Sequence, residues 1–169
     1  MSSLWAFPFG KNQKFLNDNF VTDLLLGGWQ LNTALFTQSG LWFSPVLQTS
    51  TTNTGTSSRP NIIAPPTYPK TLLHWFSATG YATPAPYTYG NAGRNTLLGP
   101  GRTNLDTSLF KTFPIHEALV LQFRIEAFNV FNHPQFGYPN ATVGNSQVGQ
   151  ITSIVGNARN LQGSLRLQF

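Results

Sequence analysis

The chain has 169 residues, with 9% charged, 14% aromatic, no cysteine and a net charge of +5 from ten Lys/Arg against five Asp/Glu. Ordinary soluble domains carry roughly 25% charge and disordered chains few aromatics, so the composition disfavours both a cytoplasmic enzyme and a disordered segment. Lacking cysteine, the chain has neither a disulfide framework nor a thiolate metal site. It has no Lys/Arg cluster able to track phosphates, and Lys11 and Lys14 are the closest basic pair in its first half. His74, His116 and His133 stand apart without ligand spacing. No nucleic-acid partner, metal or cofactor is therefore expected.

Met1-Ser2-Ser3-Leu4-Trp5 lacks the basic and apolar regions of a signal peptide, and no apolar run is long enough for a membrane helix. A β-barrel is the remaining way across a membrane. Its mark is a segment of about ten residues that alternates apolar and polar.

The first such run is short, Leu4 to Phe9, with Trp5, Phe7 and Phe9 in phase. Gly10 to Gly28 is a connection of intermediate length. Trp29 to Gln38 sets Trp29, Leu31, Thr33 and Leu35 against Gln30, Asn32 and Gln38, with Phe36 out of pattern. Gly40 to Arg102 follows, rich in Pro, Gly, Ser, Thr and Tyr, and far longer than the ~12–15 structureless residues a compact domain tolerates. Asn104 to Phe113 alternates again, with Lys111 interrupting the apolar row near its end, where its stem could snorkel.

Pro114 to Ala118 reads as a tight turn, and a strand over 119–131 leaves it. Asn132 to Asn157 is a second long connection, with a short extra strand expected over Val148 to Ile154. Arg159 to Phe169 is the cleanest run: Leu161, Gly163, Leu165, Leu167 and Phe169 against Asn160, Gln162, Ser164, Arg166 and Gln168.

Long and short connections alternate, as in an outer-membrane barrel with short periplasmic turns and long extracellular loops. This places Trp29, Phe113 and Phe169 at the periplasmic rim, where an aromatic girdle belongs. The competing soluble β-sandwich would need about seven strands with a turn every 8–12 residues. Five strands cannot close a barrel, which needs at least eight. The expected fold is therefore all-β: an antiparallel transmembrane barrel segment, about five C-terminal strands of a larger barrel, starting in mid-wall. Residues 1–169 form one part, with strands near 4–9, 29–38, 104–113, 119–131 and 159–169, and no plug domain or signal peptide.

Several pieces, in order, carry a family resemblance. They are Phe7-Pro8-Phe9-Gly10, Gly27-Gly28-Trp29-Gln30-Leu31, Gln38-Ser39-Gly40, Arg59-Pro60-Asn61, Gly90-Asn91-Ala92-Gly93-Arg94-Asn95 and Gly99-Pro100-Gly101. Then come Asn104-Leu105-Asp106, Leu109-Phe110-Lys111, the run Phe123 to Pro134 and the terminal Phe169. The ordered set resembles the C-terminal end of TonB-dependent outer-membrane receptors, in particular the Oar-like subgroup with an N-terminal carboxypeptidase-regulatory-like domain. The resemblance covers nearly the whole chain, although no single tetrapeptide is specific. It implies a larger barrel with a plug domain, an energy-coupling box that meets TonB through an N-terminal part this chain lacks, and active uptake of a large or scarce substrate. It implies outer-membrane lipid, the rest of the barrel with its plug, and the barrel-assembly machinery as partners. It does not carry over a substrate.

Phe169, with Leu167 and Leu165 on the same face, resembles the C-terminal signal read by the assembly machinery; a plain girdle aromatic is the structural alternative. Asp106, Arg124, Glu126 and Arg166 fall on the wet faces of three successive strands. They are expected to point into the lumen, either towards plug or substrate or as a cross-strand ion-pair ladder, the latter preferred. Trp42, Trp75, Tyr81, Tyr87 and Tyr89 in the long connection are candidate stacking contacts for a sugar or planar chelate, or else pack that connection.

Gly90 to Asn95 lacks the strand-to-helix setting and Gly-Lys-Ser/Thr ending of a phosphate loop. There is no nucleophile elbow, and Glu117 with Glu126 makes a poor acid/base pair. No enzymatic activity is expected. Two other readings stay open: a soluble, aromatic-rich all-β module for carbohydrate, and a non-functional fragment of a receptor gene.

Overall fold

The computed structural model describes residues 1–10, 13–16, 20–116 and 119–169; Lys11 and Glu117 lie outside them. Five strands form one antiparallel sheet in chain order: β1 (Ser2–Ala6), β2 (Trp29–Gln38), β3 (Arg102–His116), β4 (Leu119–Phe128) and β5 (Asn160–Gln168). β2 and β4 have 10 residues each and β5 has 9, which matches the ~9–11 a tilted strand needs to cross a bilayer. A seven-residue helix, α1 (Phe20–Leu26), joins β1 to β2.

The chain divides into two compact units. One holds Met1–Thr37, Thr103–Pro134 and Asn157–Phe169, and so nearly all of the sheet. The other is built from the two long connections, Gln38–Arg102 and Gln135–Gly156. Both connections leave and rejoin the sheet at the same end of its strands.

β1 is displaced from the expected 4–9. Its ladder ends after Phe7 N–H donates to Trp29 O at 3.0 Å, because Pro8 has no N–H to continue it. The in-phase aromatics still form a row, Trp5 edge-on to Phe7 and Phe7 stacked on Phe9. β4 stops at Phe128 and not at 131, because Asn129 takes a left-handed conformation with φ 52°. The turn expected at Pro114–Ala118 lies partly outside the described residues. The flanking strands stay paired as far as His116 opposite Leu119, with a register shift after Pro114.

The second unit has its own core of Leu47, Phe76, Tyr81, Leu97 and Val143, with Phe43, Ile62, Tyr68, Trp75 and Val148 packed against it. The Gly40–Arg102 connection is thus a folded body to which both connections contribute. The strand expected at Val148–Ile154 does not form. Gly149 has φ 79°, and a Cβ there would meet the Phe76 carbonyl oxygen at 2.5 Å. Thr142–Val143 instead pairs in parallel with Val46–Leu47, and Phe136 bridges Ile154.

Candidate functional site: the two faces of the sheet

Register sorts the side chains of β3, β4 and β5 into two faces, since residues directly opposite one another point the same way. Leu109, Ile125 and Gly163 form one row, flanked by Thr107, Ala127 and Leu161 on one side and Lys111, Phe123 and Leu165 on the other, beyond which lie Phe113, Leu121 and Leu167. That face is apolar apart from Thr107 and Lys111, which stands in a row with Phe123 and Leu165. The opposite face carries Ser108, Glu126 and Gln162, then Phe110, Arg124 and Ser164, then Thr112, Gln122 and Arg166.

Arg124, Glu126 and Arg166 therefore share the polar face, but they do not form a cross-strand ion-pair ladder. The Arg124–Glu126 pair, at 3.6 Å, lies within one strand at positions two apart, and both side chains are partly exposed. Such a pair contributes at most ~1 kcal/mol. The cross-strand links are different in kind. Gln162 Nε2 donates to Glu126 Oε2 at 2.8 Å, and the Arg124 guanidinium lies 5.5 Å from the Phe110 ring. Arg166 stands opposite Gln122.

Asp106 serves the sheet itself. Its Oδ1 accepts from Asn104 Nδ2 at 2.8 Å and from the Asn129 backbone N–H at 2.9 Å. Asn129 is a residue that sequence reasoning passed over. It is buried, its Nδ2 donates to His133 O and Asn157 O, and its Oδ1 accepts from His133 N–H. Asn132 Oδ1 accepts from Arg159 N–H at 3.0 Å. Together these side chains tie the exit of β4 to the entry of β5.

Lys111 departs from the expected snorkelling. Its side chain does not reach solvent: the residue is 2% exposed. Its ammonium donates to Leu24 O at 2.6 Å and Asp23 O at 3.3 Å, over the rings of Phe113 and Trp29 at 4.8 and 5.6 Å. Carbonyls at a helix C-terminus lack helical partners and carry partial negative charge, so they suit a cation.

The candidate stacking aromatics separate into two groups. Tyr81 is buried in the core of the second unit, and Trp75 packs against that core with its indole N–H donating to Leu98 O at 2.8 Å. Tyr81 thus takes the packing role given above as the alternative, while Trp75 is half-buried with its indole N–H engaged. Burial raises the Tyr81 phenol above its ordinary value, and the neighbouring Thr96 side chain offsets part of that rise. Trp42, Tyr87 and Tyr89 are exposed. Tyr87 also lines a groove of about 580 Å³ with Ser50, Thr51, Asn53, Thr83, Pro84 and Pro86. Phe169 is 99% exposed beyond the edge strand β5, with Leu165 and Leu167 exposed on its apolar face.

An antiparallel sheet with membrane-length strands, one apolar face and one polar face, and long connections at one end defines the wall of a membrane β-barrel. The chain belongs to the outer membrane beta barrel domain family, which matches residues 1–162. A domain of this kind sits in the lipid of the Gram-negative outer membrane. No curated protein and no solved structure matches the chain.

Proposed function

We propose that the chain is a wall segment of a TonB-dependent receptor of the Oar-like kind, taking part in active uptake of a large or scarce substrate. The observation that carries this reading is the five-strand sheet whose two edges, β1 and β5, pair with no further strand among the described residues. Closure takes at least eight strands and leaves no edge, so both edges are read as joining further strands of the same wall. The face with Ile125 and Leu161 meets lipid, and the face with Arg124, Glu126 and Arg166 lines the lumen, with Asp106 at its upper end. Phe169, Leu167 and Leu165 present the terminal strand to the assembly machinery. Trp42, Tyr87 and Tyr89 are the substrate-stacking candidates, and the hydroxyl-lined groove beside Tyr87 suits a ligand rich in hydroxyl groups. The chain takes no catalytic step.

The test has two parts. Upstream, in-frame coding for more alternating strands, a plug and a coupling box is expected, and the gene product should cross-link to TonB. A soluble, two-state monomer formed by this chain without detergent would overturn the reading in favour of a soluble binding module.

A further inference from the structure

We propose that α1 is an interfacial helix, bedded in outer-membrane lipid at the rim of the wall and tethered there by Lys111 and Trp29. The inference rests on the reading that the Ile125 face meets lipid. Three observations support it.

The first is the tether. The C-terminal carbonyls of α1 are taken by side chains of the apolar face: Asp23 O and Leu24 O by Lys111 Nζ, and Leu25 O by Trp29 Nε1 at 2.9 Å. Trp29 in turn packs edge-on to Phe123, in the same row as Lys111. The helix is thereby held against the apolar side of the wall.

The second is what the helix leaves uncovered. Val21, Leu24, Leu25 and Leu26 are all exposed, Leu25 at 63%. Val21, Leu24 and Leu25 fall at helical spacing on one face. Phe15 and Leu16, just before the helix, are exposed as well. A cluster of this kind in water is a liability, whereas at a lipid boundary it is an anchor.

The third is continuity. α1 is held by Lys111, whose row with Phe123 and Leu165 adjoins that of Ile125, so the lipid that covers Ile125 also reaches α1. The tether explains how a lysine survives on a lipid-facing row. Lys111 turns its charge onto carbonyls and ring faces, and α1 shields it.

These 169 residues contain no cysteine, so once any cysteine elsewhere in the full-length product is replaced by serine, a spin label sits at a single introduced thiol. Leu25→Cys, Ile125→Cys and Ser108→Cys would be labelled in turn in the full-length product in outer-membrane vesicles, with Val21→Cys as a second probe of the helix. Accessibility to oxygen and to a water-soluble nickel chelate is the readout. The label at Leu25 should be oxygen-accessible and chelate-shielded, like that at Ile125, and the one at Ser108 less shielded. Adding Lys111→Met should raise chelate access at Leu25 several-fold and leave Ile125 unchanged. If Leu25 and Val21 are as open to chelate as water while Ile125 is shielded, the proposal fails and the wall reading stands. If Ile125 is also open, both fail. An unchanged Leu25 signal in Lys111→Met would overturn the tether.

Discussion

Asp106 on β3 accepts the backbone N–H of Asn129, the first residue past β4, at 2.9 Å. One carboxylate thus fixes where the neighbouring strand ends. Asn129 then turns left-handed, a conformation Asn tolerates better than most residues, and its amide holds the chain on both sides of the second long connection. The clasp stands at the end of the sheet from which both long connections leave.

Asn129→Ala removes three side-chain hydrogen bonds from a buried position and forces alanine into a left-handed conformation. The expected cost is ~2–4 kcal/mol, because His133 and Asn157 are exposed and each lost hydrogen bond is worth a net ~0.5–1.5 kcal/mol, with the left-handed backbone adding ~1 kcal/mol. Asp106→Ala should cost ~1.5–3 kcal/mol, because it removes hydrogen bonds to a charged acceptor. Asp106→Asn keeps an acceptor and should cost less. Urea unfolding of the protein in detergent, followed by the loss of its heat-modifiable gel shift, orders the three variants.

The two faces make opposite predictions for the same substitution. Ile125→Arg places a charge in the middle of the apolar face and should cost ~2–4 kcal/mol if that face meets lipid. Ser108→Arg stands opposite Glu126 on the polar face and should cost less than ~1 kcal/mol. Equal costs would remove the assignment of lipid and lumen sides. Refolding into lipid vesicles, titrated with denaturant, measures both.

Tyr81 offers a test in the second unit. Its hydroxyl is buried beside Thr96 without a well-formed hydrogen bond, so Tyr81→Phe should change stability by less than ~1 kcal/mol in either direction. Because burial raises its pKa, the unfolded chain releases the phenolic proton first as pH rises. The stabilisation from the neutral phenol is complete below the ordinary pKa of ~10 and declines above it, until the folded phenol itself ionises. Wild type should lose more stability than Tyr81→Phe between pH 9 and 11, followed as the thermal midpoint of Trp fluorescence.

Sequence and structure agree where one physical constraint acts alone. Leu161 to Phe169 alternates because a strand between two media has no other pattern, so β5 and its faces were legible. Alternation reports which face a residue takes, but not what covers it. Lys111 was therefore read as snorkelling, although the covering helix had its own signal in Phe20 to Leu26 followed by Gly27-Gly28, with Gly28 at φ 71°. The run through Phe131 looks like strand by apolar content, and only the tolerance of Asn for left-handed turns at 129 and 132 marks its end. Tyr81 and Trp75 could not be told from Tyr87 and Trp42, because an aromatic in a Pro- and Gly-rich connection has no local mark of burial. The partnering of Glu126 with Gln162 across two strands depends on register, which alternation alone leaves open, whereas that of Arg124 with Glu126 needs only the two-residue period.

Phe169 separates an assembly role from a structural one. It is 99% exposed, so Phe169→Ala removes no packing within the chain and should leave the unfolding midpoint of already assembled protein unchanged. If the terminal aromatic is read during insertion, the same variant should lower the amount of heat-modifiable protein in the outer membrane several-fold. Phe169→Tyr should restore it, because the aromatic ring on the alternating face is retained. Leu167→Ser, one step back on that face, should reduce assembly in the same direction. Quantitative immunoblots of outer-membrane fractions, set beside urea midpoints of the purified variants, give both readouts. A normal yield from Phe169→Ala would reduce Phe169 to an ordinary rim aromatic. A fall in yield matched by a fall in midpoint would place its role in stability and not in recognition.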